Sequence, residues 1–280
     1  MTNNLSPSEQ LAFTTIRIQC ETSTGLVSTG SGFIFKFDFG DNRIIPTIVT
    51  NHHVVENAII GTFQLTRSDE NGNPVVGEFT NILIDNFEQR WIQHPQDLDL
   101  CAMPIAPLLE LAQNQNKRFF YKSFHENIVA SSQVLSELTA LEEILIIGYP
   151  LGIWDSSNNM PIFRQGITAT HPNINYEGRE EFLIDAACFP GSSGSPVLLY
   201  NKGSYSDKQG NTIIGSRIYL LGILYAGPQY TLEGEIEVRP IPIQMMPVPV
   251  SRIPINLGYV IKAAKLLDFK RVFSDLINDS

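Results

Sequence analysis

The feature that most limits how this chain can fold is a succession of short runs rich in β-branched and aromatic residues, separated by turn formers. Residues 13–20 (FTTIRIQC), 31–37 (SGFIFKF) and 44–50 (IIPTIVT) come first, punctuated by Gly25, Gly30, Gly40 and Asp41-Asn42. Residues 79–84 and 99–105 continue the series. It resumes at 144–148, 163–170, 181–186, 195–200, 218–225 and 256–260. Runs of this length with no long helices between them are the strands of an all-β barrel or sandwich. Helical patterning is confined to three places. Ser6-Pro7-Ser8-Glu9 carries an N-cap, a proline at the first helical position and a capping-box glutamate. Residues 107–120 and 123–141 read as short helices or a long connection, and 261–273 as a final amphipathic helix with Ile261, Ala264, Leu267 and Val272 near one face. The proline-dense stretch 239–254 (RPIPIQMMPVPVSRIP) cannot form a central strand, because each proline removes a ladder donor, and reads as an extended surface loop or edge. With no repeats and no dividing linker, residues 1–280 are expected to form one domain.

Bulk properties narrow the function. A formal charge of −10 and a pI near 5.0 disfavour nucleic acid or an anionic membrane as the main partner. No apolar run approaches the roughly 18 residues of a membrane span. Residues 1–10 (MTNNLSPSEQ) are polar, without the basic start and apolar centre of a secretory signal. The three cysteines Cys20, Cys101 and Cys188 are an odd, sparse set. They read as reduced, buried thiols in a cytoplasmic protein rather than as disulfides or a zinc site. No metal or cofactor is expected.

Three local constellations carry chemistry. Thr50-Asn51-His52-His53-Val54-Val55 follows a strand directly, so a histidine ring there is rigidly held yet can enter a cleft, as a general base requires. Asp97-Leu98-Asp99-Leu100-Cys101-Ala102 sets acids at the start of an apolar strand, where a half-buried carboxylate could orient an imidazole. Gly191-Ser192-Ser193-Gly194-Ser195-Pro196 is a glycine-flanked turn that can expose a serine hydroxyl while backbone N–H groups converge beside it. Taken singly these are a strand-end histidine, hairpin acids and an ordinary turn. Together they follow the order His, Asp, Ser along an all-β chain.

Those motifs, with Gly30-Ser31-Gly32-Phe33-Ile34, Gly148-Tyr149-Pro150-Leu151-Gly152 and Leu221-Gly222-Ile223-Leu224-Tyr225-Ala226-Gly227, resemble trypsin-like serine proteases, and most of all the bacterial HtrA/Deg branch. The resemblance runs from about Gly30 to Ile261. It implies two six-stranded Greek-key β-barrels of the chymotrypsin type, about 12–115 and 140–262, with short helices, a C-terminal helix at about 261–274 and no PDZ domain after it. It implies a serine endopeptidase acting on protein or peptide substrates through His53, Asp99 and Ser193. His52 is the less favoured base, since neighbours in extended chain face opposite ways, and Asp97, two residues from Asp99 on the same face, is the alternative acid. Gly191, Ser192 and Ser193 would form the oxyanion hole. Ala187, six residues before the nucleophile, and Tyr225, Ala226 and Gly227 would wall a neutral specificity pocket, unsuited to Lys or Arg. Ser192 stands where secreted trypsins carry an aspartate that pairs with a freshly cut N-terminus. Activation by such cleavage is therefore not expected, and a protein partner could supply the signal instead. The alternative from another class is a silent protease-fold module that binds peptides or partners. An esterase of the α/β-hydrolase type has the order Ser, acid, His and is disfavoured.

Overall fold

The computed structural model describes residues 5–40, 43–227, 229–232, 251–254 and 256–278. The first half is a nine-stranded sheet. Its six longer strands are β1 (Thr15–Thr22), β2 (Val27–Asp38), β3 (Ile44–Thr50), β4 (Ala58–Ser68), β5 (Pro74–Asp85) and β7 (Cys101–Pro104). Three two-residue strands join them: β6 (Ile92–Gln93), β8 (Phe119–Phe120) and β9 (Phe124–His125). The order β5-β4-β1-β2-β3-β7-β6 keeps β2 and β3 central, and β3 meets β7 with Thr50 opposite Cys101. The second half is a closed six-stranded barrel, ordered β10 (Glu143–Gly148), β11 (Ile162–Thr168), β12 (Glu181–Asp185), β19 (Leu257–Lys262), β16 (Arg217–Ala226) and β13 (Pro196–Asn201). Two hairpins lie outside it: β14 (Ser204–Ser206) with β15 (Thr212–Ile214), and β17 (Gln229–Leu232) with β18 (Ser251–Pro254).

The helices are short. Ser6 caps α1 (Pro7–Ala12) through the reciprocal pair with Glu9 that its sequence predicts. The connection between the barrels holds α3 (Ala106–Asn114) and α4 (Ser132–Glu137), and a one-turn α2 (His52–Val55) follows β3. Two sequence boundaries shift. Residues 97–100 are an irregular loop with a bend at Asp99 rather than strand, so β7 starts at Cys101. Ile261 belongs to barrel strand β19, and the terminal helix begins later, as a 3₁₀ turn at Ala263–Asp268 followed by α5 (Phe269–Asn278). Of the proline-dense stretch, 251–254 form a paired strand, and 239–250 lie outside the described residues.

Each half has its own core, the first around Ile18, Phe63, Phe87 and Met103, the second around Ile146, Phe182, Val197 and Val260. A third cluster joins them. It packs Leu11, Phe33, Phe35 and Phe37 of the first half with Leu198 and Ile223 of the second and with Phe269 and Phe273 near the C-terminus. The Phe37 ring lies 5.1 Å from that of Phe273 and 6.4 Å from that of Phe269. Lys270 pairs with Glu126 at 2.9 Å and fixes the helix on the connection between the barrels. Removing a buried phenylalanine leaves a cavity as well as losing transfer energy. Phe273→Ala is therefore expected to cost about 3–5 kcal/mol, read as a lower urea midpoint at unchanged slope. A loss below about 1 kcal/mol would mean that α5 merely rests on the surface.

Candidate active site

The first barrel holds a histidine and a carboxylate in close register. Because Thr50 pairs with Cys101, the residues just beyond these strand ends, 51–53 and 99, face one another. Asn51 precedes α2, and its Nδ2 donates to the Asp99 carbonyl at 2.7 Å. The Asp99 carboxylate then takes two bonds from a single residue. Oδ1 accepts from the His53 backbone N–H at 2.9 Å, and Oδ2 meets His53 Nδ1 at 2.6 Å. Burial alone would raise the Asp99 pKa, but the His53 hydrogen bonds and charge outweigh it and hold the carboxyl below its ordinary value. A carboxylate on Nδ1 keeps the proton there and leaves Nε2 as the basic nitrogen.

The two alternatives lie elsewhere. His52 turns to Gln93, with the two Nε2 atoms 2.6 Å apart. The histidines diverge because they sit on a helical turn, not because an extended chain alternates its faces. Asp97 is an exposed turn residue with φ +56°, its N–H bonded to the His94 carbonyl. It does not share a strand face with Asp99.

The segment that bears the three serines is two consecutive β-turns. Phe189-Pro190-Gly191-Ser192 closes with Ser192 N–H on the Phe189 carbonyl at 3.0 Å, and Ser192-Ser193-Gly194-Ser195 with Ser195 N–H on the Ser192 carbonyl at 3.0 Å. Gly191 and Gly194, third in each turn, have φ +83° and +84°. A positive φ only at the third position defines a type II turn, which proline favours at the second and glycine at the third. At Gly191 the choice is enforced twice, since a Cβ there would lie 2.6 Å from the Tyr149 carbonyl. The turns decide which N–H groups are free. Those of Ser192, Gly194 and Ser195 are bonded within the protein, whereas among the described residues those of Gly191 and Ser193 have no acceptor. Ser192 is thus a correction to the expected donor set, because its N–H closes the first turn.

The serines also separate. Ser192 and Ser195 are 1% and 0% exposed, the first accepting a bond from Arg164 and the second packed beside Gly148. Ser193 is half-buried, and its hydroxyl donates to the Tyr225 carbonyl at 3.2 Å rather than to His53. The two barrels meet at Ser31, whose N–H donates to the Ser193 carbonyl at 2.8 Å. Its Oγ donates to the Gly191 carbonyl at 2.8 Å and accepts from Tyr149 N–H at 2.9 Å. Ser31, Tyr149 and Asn51, which lie within the quoted motifs but were given no role there, carry supporting contacts, as does Arg164, which lies in none of them.

The expected pocket walls approach one another. A Cβ on Gly227 would sit 3.6 Å from that of Cys188, the residue after Ala187. The Ala187 carbonyl accepts from Arg164 Nη1. The Tyr225 phenol donates to Glu181 at 3.0 Å, and its burial there, together with that carboxylate, pushes its pKa up. The side chain of Ala226 lies outside the described residues.

A family model described as a trypsin-like peptidase domain matches residues 30–204, more than half of the chain. The chain belongs to the trypsin-like peptidase family. This peptidase domain has similar solved structures. The active form of the Rv3671c protease from M. tuberculosis is 12% identical with a TM-score of 0.43, over 95% of this chain and 87% of that one. The HtrA-type protease AlgW with tripeptide is 16% identical with a TM-score of 0.48, over 94% of this chain and 60% of that one. Deg5 is 16% identical with a TM-score of 0.42, over 80% and 88%. Among curated proteins none matches.

The Asp99–His53 pairing has a measurable signature. A carboxylate whose folded pKa is depressed adds stability above its unfolded pKa of about 3.9, and that stability is lost as pH falls toward the folded value. The stability gap between the wild type and Asp99→Asn, measured by urea denaturation, is therefore expected to be open at pH 7 and to close through the acid range. A gap independent of pH would show that the charge of Asp99 does not matter.

Proposed function

We propose that this peptidase domain is a serine endopeptidase working in the cytoplasm. Ser193 attacks the scissile carbonyl while His53 Nε2 takes the hydroxyl proton, and Asp99 keeps the other ring proton on Nδ1 and stabilises the imidazolium. The carbonyl oxygen becomes an oxyanion facing the Gly191 and Ser193 N–H groups. His53 then gives its proton to the departing amine, leaving the acyl group on Ser193. A water deprotonated by His53 releases the acid and restores the hydroxyl. The observation that carries this reading is the pair of unused N–H groups flanking the only one of three neighbouring serines that is not sealed. A β-turn bonds only its fourth N–H and leaves the central ones free; here two such groups lie beside the accessible hydroxyl, where donors already in place would stabilise a developing charge without reorganisation.

The reading requires the Ser193 hydroxyl to leave the Tyr225 carbonyl for His53, which would also free that carbonyl to accept an N–H from a bound peptide backbone. Catalytic hydrogen bonds are often loose until substrate binds. The same contact favours the second reading, a module that binds peptides without turnover, or one whose hydroxyl is repositioned by an activating protein partner. Substrate preference follows from the walls. Ala187 offers no acid, and the Arg164 guanidinium on its carbonyl opposes a second cation, so cleavage after small or apolar residues fits best. The cytoplasmic assignment rests on three buried free thiols, two of which burial raises to about 12 (Cys20) and about 11 (Cys188).

A fluorophosphonate probe is expected to label the wild type and not Ser193→Ala, whereas folded wild type that resists labelling would favour the binding module. His53→Ala should lower kcat/KM by roughly 10⁴- to 10⁶-fold. His52→Ala, whose ring faces Gln93, should stay within a few fold, and equal losses would overturn the assignment of the base. Digestion of a peptide library should give few cuts after Lys or Arg. Dominant cutting there would refute the neutral pocket.

A further inference from the structure

Arg164 is the residue whose placement the proposed mechanism leaves unexplained. It lies on β11 opposite Ile146 of β10, on the inward side of the second barrel, while its neighbours Phe163 and Gln165 face outward. Its Nη1 donates to the Ala187 carbonyl and, at 2.9 Å, to Ser192 Oγ. Nε and Nη2 are buried without a hydrogen-bond partner, and among the described residues no carboxylate pairs with the guanidinium. Desolvation pulls its pKa down.

A buried cation with two idle donors opposes folding, and an apolar side chain of similar size would stabilise such a position better. Packing therefore does not account for the arginine; the two contacts it makes do. They fall on Ala187 and Ser192, the two ends of the segment that contains the turn around Gly191. The middle of that segment is held from another side, by Leu151 N–H on the Pro190 carbonyl at 2.6 Å. The Leu151 bond holds the Pro190–Gly191 peptide in its type II orientation, and Arg164, by tying both ends to β11, fixes where the turn as a whole, and so its Gly191 N–H, sits. The alternative, a type I turn, differs chiefly by rotation of the Pro190–Gly191 peptide, which would turn that N–H away.

We infer that Arg164 is a positioning residue, an internal cation that clamps Ala187 and Ser192 and so holds the Gly191 and Ser193 N–H groups in place for the oxyanion. It gives Ser192 a permanent charged partner from within the barrel, with no cut terminus needed. The inference rests on the serine-peptidase reading above.

The test is the concentration dependence of fluorophosphonate labelling, which yields kinact and KI without knowledge of the natural substrate, alongside thermal melting. Arg164→Met keeps the length of the side chain and removes the donors. It is expected to melt at or above the wild-type temperature, with kinact lower by roughly 10²-fold, as for a misplaced or missing oxyanion donor, and KI within about threefold. Arg164→Lys should recover part of the rate. Arg164→Ala should recover part in sub-denaturing guanidinium chloride and none in sodium chloride. Wild-type kinact in Arg164→Met, or a loss that only follows the melting temperature, would overturn the clamp. If Arg164→Met does not fold, Ser192→Ala decides: a kinact at least several-fold lower supports the clamp, and an unchanged one refutes it. Wild type that is folded but unlabelled would sink the peptidase reading and this inference with it. Labelled wild type with an equally reactive Arg164→Met would sink this inference alone.

Discussion

The geometry of the cleft depends on one buried serine, Ser31, and not on Ser193. Ser31 is fully enclosed, and every polar group it carries has a partner on a different segment. Its N–H holds the Ser193 carbonyl, its carbonyl accepts from Thr50 Oγ1 at 2.7 Å, and its hydroxyl bridges Gly191 and Tyr149. Buried polar groups must be satisfied, so these bonds act together or not at all. Thr50 is the last residue of the strand that delivers His53, and Tyr149 follows the strand that opens the second barrel. The histidine side and the serine side of the cleft thus share a single reference point on β2. Close approach there needs glycines: a side chain at Gly194 would overlap the Ser31 carbonyl, and one at Gly30 would overlap Val54.

What could be read from the sequence was what short-range chemistry determines. A turn at residues 191–194 was legible because glycines flank the serines, whereas its type II form, with Pro190 and Gly191 at the centre, came from the backbone angles. The strand series was legible because barrel strands are short and bounded by turn formers. His53 could be preferred over His52 and Asp99 over Asp97, but the reasons offered assumed extended chain. The structure puts the histidines on a helical turn and the acids in a loop, so the same residues meet by a different local route.

Long-range features stayed hidden, and β11 shows why. Alternation along Phe163-Arg164-Gln165-Gly166-Ile167 suggests Phe163 and Ile167 as the inward face. The barrel does the reverse, leaving these two 39% and 38% exposed and turning Arg164 and Gly166 inward. A buried arginine contradicts the pattern that sequence reading relies on. Sites that break local rules are where function or strain is concentrated. The Ser192 N–H was misassigned for a related reason. Which of several adjacent donors stays free is decided by which ones the turns consume, and that needs backbone angles rather than residue names.

The aromatic cluster beneath α5 bears on how such a chain is made. Phe37, near the start, is covered by Phe269 and Phe273, near the end, and Leu11 belongs to the same cluster. Synthesis delivers the N-terminal half first. Strands β1 to β7 can pair as they emerge, yet one face of β2 stays uncovered until α5 has been made. The Ser193 carbonyl is also bonded to Ser31, on a strand made about 160 residues earlier. The two halves of the cleft therefore close only after residues 269–273 have been made. In a peptidase fold of this kind, the cleft is the last part to be assembled because the cover of β2 is made last among the described residues.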